Sequence, residues 1–345
     1  MRSTSDPAGK SVWAAMSGGV DSSVTAAMML DAGASVTGVT MRLAEEGFAP
    51  QHDAAIVAAA NVCDTLGIAH RTLDVTAEFS KIVASAHDSR TVGHTPNPCI
   101  ICNEHLKFGA FLRRCRELGA DLVATGHYVR VVTLQDATLR LGRGVDPTKD
   151  QSYFLYRLGP DVLGFALFPL GGRLKKDVAE EAASRGLPVL EAESQDICIP
   201  QLFEYETPGR CGSIVDTTGR TLSTHDDATG FTVGQRKGLG IGGGQPFFVT
   251  EVDAASGTVT VGGRADIEKR TVLADDVVWW TAERALSCTA QIRYRGNATP
   301  AQASLEGGLL KIIFDAPVEA PAPGQSVVCY EDDTVIGGGI IASAS

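Results

Sequence analysis

The chain has 345 residues, 44% of them hydrophobic and 21% charged, with a formal net charge of −11. This composition suits a globular protein that buries a core, and at about 150 residues per domain the length predicts two or three domains. The acidic balance excludes bulk electrostatic attraction as the basis of nucleic-acid binding, yet leaves room for a local basic surface. No run approaches the roughly 18 apolar residues of a membrane span. The stretch "SVWAAM" after the polar opening MRSTSDPAGK is too short for a signal-peptide core, so the chain reads as cytoplasmic with no membrane partner. Eight cysteines in such a chain point to thiol chemistry, metal or burial rather than a disulfide framework.

Residues 11–130 alternate strand and helix signals. "SVWAAM" is a short apolar strand ending at Gly-Gly, and "DSSVTAAMMLDAG" carries a helix start and a glycine stop. "ASVTGVTMRL" alternates as a strand, "DAAIVAAANVCDTLG" is a helix, "AHRTLDV" a strand and "AEFSKIVASAHDS" a helix. "NEHLKFGAFLRRCRELG" reads as a helix and "DLVATGHYVRVV" as one strand. Repeated β–α units of this spacing predict an α/β domain with a doubly wound parallel sheet, whose ligands sit at the C-terminal ends of the strands. Residues 151–190 read as helical. Residues 205–270 are rich in Gly and Thr and predict a small β-rich connector. Residues 271–345 hold strand candidates about ten residues apart, the pattern of a small barrel or sandwich. The expected domains are therefore 1–204, 205–270 and 271–345.

"MSGGVDSS" (16–23) ends the first strand and opens the first helix. Ser17, Gly18 and Gly19 let backbone N–H groups crowd an anion, and Asp21, Ser22 and Ser23 start a helix whose positive end faces the same spot. It is not a Walker A loop, because the GK[ST] ending is missing. The bland alternative is a plain strand-to-helix turn. SGGxDS in this setting resembles the PP-loop of ATP pyrophosphatases, which implies a grip on the β,γ-pyrophosphate and adenylation of a substrate oxygen. On that resemblance Ala15, Met16, Ser17, Gly18, Gly19, Val20, Asp21, Ser22 and Ser23 contact ATP, with Met41 beside the adenine and Gly126 of "ATGHY" lining the crevice.

Cysteines narrow the choice of oxygen. In "TPNPCIICNEHLKF" (95–108), Asn97 can cap a helix and Pro98 suits its first position, so Cys99 and Cys102 fall in the first turn on one face, where the dipole favours a thiolate. Cys198 stands in "ESQDICIP", a loop. Three cysteines beside an ATP site suit sulfur transfer rather than amide synthesis. With "KDQSYFLY", "VGQRKGLGIGGG", "IRYR" and "PGQSVVCY" added, the chain from about 11 to 342 resembles the tRNA-specific 2-thiouridylases, the MnmA family.

That resemblance implies an adenine nucleotide alpha hydrolase-like N-terminal domain and a C-terminal β-barrel that contacts tRNA. It implies that ATP with Mg2+ adenylates O2 of the wobble uridine of Lys, Glu and Gln isoacceptors. Cys198 would carry a persulfide from a cysteine desulfurase or a sulfur-relay protein, and Cys102 would resolve the linkage as a disulfide. It assigns tRNA contacts to Asn97, Pro98, Cys99, His127, Lys149, Asp150, Gln151, Arg293, Tyr294 and Gln325. The residues agree in part: Arg293, Tyr294 and Arg295 join charge to a stacking ring, and residues 234–244 are a basic, glycine-rich loop. Each is equally a solvated basic loop or a strand-edge tyrosine when taken alone. Binding should weaken with salt by a modest slope.

Two features depart from the family pattern. Position 99 is Cys where an Asp stands in well-known members, and "IPQLFEYETPGRCG" after Cys198 is short. Cys99, Cys102 and Cys198 therefore also suit three corners of a [4Fe–4S] cluster with one iron open for sulfur. Zinc on Cys99 and Cys102 lacks a second pair to complete a tetrahedral site. Cys63 and Cys115 read as core, Cys115 sharing a stripe with Ile101, Phe108 and Leu112, while Cys211 is unexplained. Two other classes compete: a PP-loop ligase or amidotransferase on a small metabolite, and a nucleotide-gated RNA-binding protein.

Overall fold

The computed structural model describes residues 6–190, 209–242 and 245–345. Cys198 and the residues around it lie outside that set. The chain divides into two compact units. The first comprises residues 1–82, 99–200 and 333–335, and the second residues 83–98, 201–332 and 336–345.

In the first unit a parallel sheet is built from β1 (Ser11–Ala15), β2 (Ser35–Arg42), β3 (Ala69–Asp74), β4 (Leu122–Ala124) and β7 (Ala166–Leu167), in the order β3-β2-β1-β4-β7. Helices α1 (Val20–Asp31) and α2 (Pro50–Leu66) cross between the first three strands, and α3 (Thr76–Thr91) follows β3. Strand β1 is apolar throughout its middle because helices cover both faces of the sheet. Val12, Ala14 and Met16 pack with Ala26 and Met29 of α1 and with Ala59, Val62 and Cys63 of α2. The chain winds outward from β1 to β3, then returns to place β4 on the other side. The switch point lies between β1 and β4, where ligands of such sheets bind.

Two readings from the sequence are corrected. "DLVATGHYVRVV" is not one strand: β4 stays in the parallel sheet, and Val129–Thr133 (β5) turns away to pair antiparallel with Leu139–Arg143 (β6). The break is at Gly126, where a Cβ would lie 3.0 Å from the backbone carbon of Asp21. Residues 151–190 are not continuous helix. Gly159, Gly164 and Pro169 interrupt them, leaving short helices Ser152–Leu155 and Pro160–Leu163, strand β7 and one longer helix, Lys175–Ser184.

In the second unit β8 (Gly212–Asp216), β9 (Thr221–His225), β10 (Phe248–Asp253) and β11 (Thr258–Gly262) form a small sheet in the order β10-β11-β8-β9. Ile214, Leu239, Val249, Val259 and Val261 make its core. β12 (Glu268–Trp279), β13 (Ala285–Gln291), β14 (Thr299–Glu306), β15 (Leu309–Glu319), β16 (Ser326–Glu331) and β17 (Thr334–Ala344) run in the order β12-β15-β14-β13-β16-β17 and close where β12 pairs with β17. The alternation of inward apolar residues, among them Val272, Ile312, Phe314 and Val327, fills the resulting barrel. Closure removes the sheet edges and selects the barrel over the sandwich. Among the described residues no helix is long and apolar enough to cross a membrane.

Candidate active site

The phosphate loop leaves β1 at Ala15 and enters α1 through Gly19, the N-cap. No side chain caps α1, so the first-turn amides keep their donors for another partner. Gly18 takes φ +76°, and a Cβ there would come within 2.8 Å of the Ala55 carbonyl oxygen and the Ala58 Cβ. Only glycine permits both that backbone and that contact with α2. The serines brace the loop from within. The Ser17 amide donates to Ser22 Oγ at 3.1 Å, and the Ser22 and Ser23 hydroxyls donate to the Gly19 carbonyl at 3.1 and 2.8 Å. Their hydroxyls thus shape a nest of N–H groups suited to pyrophosphate. Met41 stands near the C-terminal end of β2, and Gly126 abuts Asp21 and Ser22.

Asp21 is the hub of the site. Lys175 Nζ lies 2.8 and 2.9 Å from its two carboxylate oxygens, and the Tyr128 hydroxyl donates to Oδ1 at 2.7 Å. Lys175 opens its helix with its own amide bonded to Asp146 Oδ2 at 2.9 Å. That bond and the Thr148 hydroxyl hold the Asp146 carboxyl below the usual carboxylate range. Gln151 Oε1 accepts from the Tyr128 amide at 2.9 Å, and the Gln151 amide donates to the Tyr128 carbonyl at 3.2 Å. Asp150 accepts from the Gly144 amide, the Ser152 amide and hydroxyl, and Arg143. The carboxylate of Asp150 therefore shapes its own turn. One hydrogen-bonded chain runs from the turn at 149–151 through Tyr128 to the phosphate loop.

The helix begins at Pro98, as the Asn-Pro signal predicts, but residues Cys102–Phe111 are a π-helix rather than a continuation of α-helix. Gly109 explains it: a Cβ there would lie 2.8 Å from the Glu104 carbonyl oxygen, the i, i+5 partner of a π turn. Cys99 is half-buried and Cys102 is buried at 6% exposure. The same helix is tied to the segment after Gln151. Asn103 Nδ2 donates to the Phe154 carbonyl at 3.3 Å, and Arg157 pairs with Glu104 at 2.5 Å. His127 Nδ1 lies 2.9 Å from Thr125 Oγ1, with the Phe108 ring at 5.4 Å and the Phe168 ring at 6.5 Å. Burial, reinforced by the Lys107 charge, pushes the His127 pKa down to about 3, so its ring is neutral near pH 7.

In the second unit Gln291 Nε2 donates to the carbonyls of Arg293 and Tyr294 at 3.1 and 2.8 Å. It fixes the turn that presents the exposed Arg293. Gln325 Nε2 donates to the Thr95 carbonyl at 2.9 Å, next to the segment carrying Asn97 and Pro98. Cys63 and Cys115 are core residues whose thiols burial pushes up to about 11 and about 12. Cys211 is exposed just before β8.

Sequence reasoning missed Lys175 and Tyr128. "GRLKKDV" offers adjacent lysines with no local sign of which one turns inward. Only the placement of β7 beside β4 delivers the following segment to the switch point.

An SGGVDSS loop at the β1/β4 switch of a five-stranded parallel sheet defines a HUP-domain protein of the PP-loop type. The profile of the tRNA methyl transferase HUP domain matches residues 10–201, that of the tRNA methyl transferase PRC-barrel domain residues 201–263, and that of the aminomethyltransferase beta-barrel domain residues 269–341. The chain is 40% identical to the tRNA-specific 2-thiouridylase MnmA of Pelobacter propionicus, covering 96% of this chain and 97% of that one. It is 42% identical to the MnmA of Mycolicibacterium vanbaalenii, covering 96% and 99%. The chain belongs to the tRNA-specific 2-thiouridylase (MnmA) family. The U34-tRNA thiolase NcsA of Methanococcus maripaludis, solved with its [4Fe-4S] cluster, aligns over 57% of this chain and 64% of its own at 18% identity and a TM-score of 0.37, too slight a likeness to carry an argument.

Proposed function

We propose that this protein 2-thiolates the wobble uridine, U34, of tRNA, consuming ATP with Mg2+. The observation that carries the reading is the phosphate loop with its Asp21–Lys175 pair, built into the same unit as the Cys102 helix. The N–H nest and Lys175 hold the pyrophosphate, leaving the α-phosphorus open to O2 of the uridine. Pyrophosphate departs and O2 becomes a good leaving group. The terminal sulfur of a Cys198 persulfide then attacks C2, and AMP leaves. The Cys102 thiolate attacks Cys198 Sγ, which breaks the sulfur–sulfur bond, frees 2-thiouridine and forms a Cys102–Cys198 disulfide. A dithiol reductant resets the pair. Methyl transfer, the chemistry in two of the domain descriptions, has no use for a pyrophosphate grip.

Asn97, Pro98 and Cys99 contact the target base in this reading. His127 meets the tRNA as a neutral imidazole, Lys149 to Gln151 form the adjoining turn, and Arg293, Tyr294 and Gln325 contribute from the barrel. The tRNAs are the Lys, Glu and Gln isoacceptors, the sulfur donor is a cysteine desulfurase or relay protein, and the compartment is the cytoplasm. The functional domains are 1–204, 205–270 and 271–345. Cys99 supports one second reading, in which Cys99, Cys102 and Cys198 hold a [4Fe–4S] cluster that supplies sulfide.

The test is incubation with ATP, a sulfur donor and unmodified tRNA, with 2-thiouridine read by mass spectrometry of the digested RNA. Wild-type protein is expected to form it and Cys198→Ala to form none. A Cys198→Ala variant as active as wild type refutes both sulfur schemes. ATP–pyrophosphate exchange driven by a small metabolite without tRNA would replace the reading with a ligase.

A further inference from the structure

Helix Lys175–Ser184 begins without a side-chain cap of its own, because Leu174 stands at the N-cap. A residue 29 positions earlier supplies the missing acceptor: Asp146 Oδ2 accepts from the Lys175 amide at 2.9 Å. Asp146 is 7% exposed, so its carboxylate sits inside the protein at a desolvation cost that only well-placed donors offset. Its other oxygen, Oδ1, accepts from the Thr148 amide at 2.9 Å and the Thr148 hydroxyl at 2.6 Å. The backbone around it is pinned as well. The Val145 amide donates to the Gly171 carbonyl at 2.9 Å, and the Lys149 amide donates to the Asp146 carbonyl at 3.1 Å. The amide that Asp146 holds belongs to the residue whose ammonium meets Asp21 at 2.8 and 2.9 Å. All of these residues lie in the first compact unit.

We propose that Asp146 is a positioning residue for adenylation: by anchoring the start of the Lys175 helix, it keeps the Lys175 ammonium beside Asp21 and the phosphate loop. The inference rests on the proposed role of Lys175 at the pyrophosphate. An α-helix turns about 100° per residue, so a start displaced by one position would carry Lys175 away from Asp21. The next lysine, Lys176, is exposed. Val178 and Ala182 fix the middle of the helix by packing with Val24 and Tyr128. The first turn has no intrahelical acceptors for its amides and frays unless something outside the helix holds it. A carboxylate suits that place because its charge complements the positive end of the helix. A polar residue at 174 would serve the helix alone. An acceptor carried on the turn at 146–149 also ties Lys175 to the turn whose Gln151 reaches Asp21 through Tyr128. One turn thus holds both donors to Asp21.

The experiment measures ATP affinity by calorimetry, with Mg2+ present, for wild type, Asp146→Asn, Lys175→Met and the double variant. Asparagine keeps the volume but offers one oxygen to donors that approach two. In the wild-type background Asp146→Asn is expected to weaken ATP binding about tenfold, the scale of one hydrogen bond to a charged group. In the Lys175→Met background the same change is expected to cost less than about twofold, because a residue that acts through Lys175 then has nothing left to position. A loss of about tenfold in both backgrounds overturns the proposal, and so does unchanged affinity in Asp146→Asn. A second measurement stands even where the variants do not fold. In the wild type the Lys175 amide is expected to exchange its hydrogen at least about tenfold slower than an unstructured chain, and exchange at the unstructured rate overturns the anchor. Failure of the wild type to form 2-thiouridine while it binds ATP would instead sink the functional reading, with the four affinities still deciding on Asp146.

Discussion

Replacing Lys175 with Met tests the electrostatics of the phosphate site most directly. In the structure the ammonium sits 2.8 and 2.9 Å from the Asp21 oxygens, with side-chain exposures of 18% and 29%. Both groups border the N–H nest. Removing the cation has two effects of the same sign: it deletes an attraction to the pyrophosphate, and it leaves Asp21 as an uncompensated anion beside it. At 4 Å and an effective dielectric of 20, one unit charge is worth about 4 kcal/mol, and partial exposure trims this toward about 3. A loss of about 3 kcal/mol is roughly a hundredfold fall in the rate constant for adenylation. Methionine keeps the stem's volume, so packing loss contributes little. The assay is tRNA-dependent pyrophosphate release, with circular dichroism to verify folding. Lys175→Arg should retain more activity than Lys175→Met. Pyrophosphate release within threefold of wild type in Lys175→Met would refute the assignment of Lys175 to the nucleotide site.

Further outcomes are expected. Because His127 has a folded pKa of about 3 against an ordinary 6.5, the unfolded chain binds a proton between those values that the folded chain does not. Stability therefore rises with pH through that window and is lost as pH falls below about 6.5. His127→Asn should flatten this part of the Tm-against-pH curve, and a wild-type Tm independent of pH from 4 to 6.5 would contradict the neutral ring. In Gly109→Ala, helix propensity gains up to about 1 kcal/mol, but the new Cβ meets the Glu104 carbonyl oxygen at 2.8 Å, an overpacking cost of roughly 1–3 kcal/mol. The contact is with backbone, so the cost wins: Tm should drop by a few degrees, and an increase would mean the π turn is not needed. Protein purified without oxygen should contain neither iron nor acid-labile sulfide and should still thiolate tRNA. About four of each per chain, lost in Cys99→Ala, would establish the cluster reading instead. Iodoacetamide at pH 8 should label exposed Cys211 well before Cys63 or Cys115, whose thiols burial raises to about 11 and 12. Mass spectrometry of the labelled peptides checks the order.

The phosphate loop was legible because strand, glycines and helix start are neighbours in sequence, and the chemistry is written in one octapeptide. Most strands of the C-terminal domain were legible from their spacing, which left barrel and sandwich open, although β14 (TPAQASLE) carries too few large apolar residues to announce itself. What could not be read are features made by distant partners. Lys175 meets Asp21 across 154 positions, and no local pattern marks it. The π-helix follows apolar spacing that an α-helix also satisfies, and only the approach of Glu104 to Gly109 distinguishes them. The resemblance assigns Asp150 and Gln151 to tRNA contact, and nothing in the sequence shows that the fold commits both side chains to hydrogen bonds within the protein.

If the turn at 149–151 meets tRNA as proposed, the hydrogen-bonded chain from Gln151 through Tyr128 to Asp21 would make the two substrates thermodynamically dependent on each other. RNA that shifts that turn would alter the hold on Tyr128, and hence how firmly Asp21 competes with incoming phosphate for Lys175. Linkage requires the effect to run both ways: the factor by which tRNA changes ATP affinity equals the factor by which ATP changes tRNA affinity. Tyr128→Phe, which removes one hydroxyl and no bulk, would leave each substrate bound while abolishing that mutual factor. Such coupling would tie nucleotide affinity to the seating of the RNA.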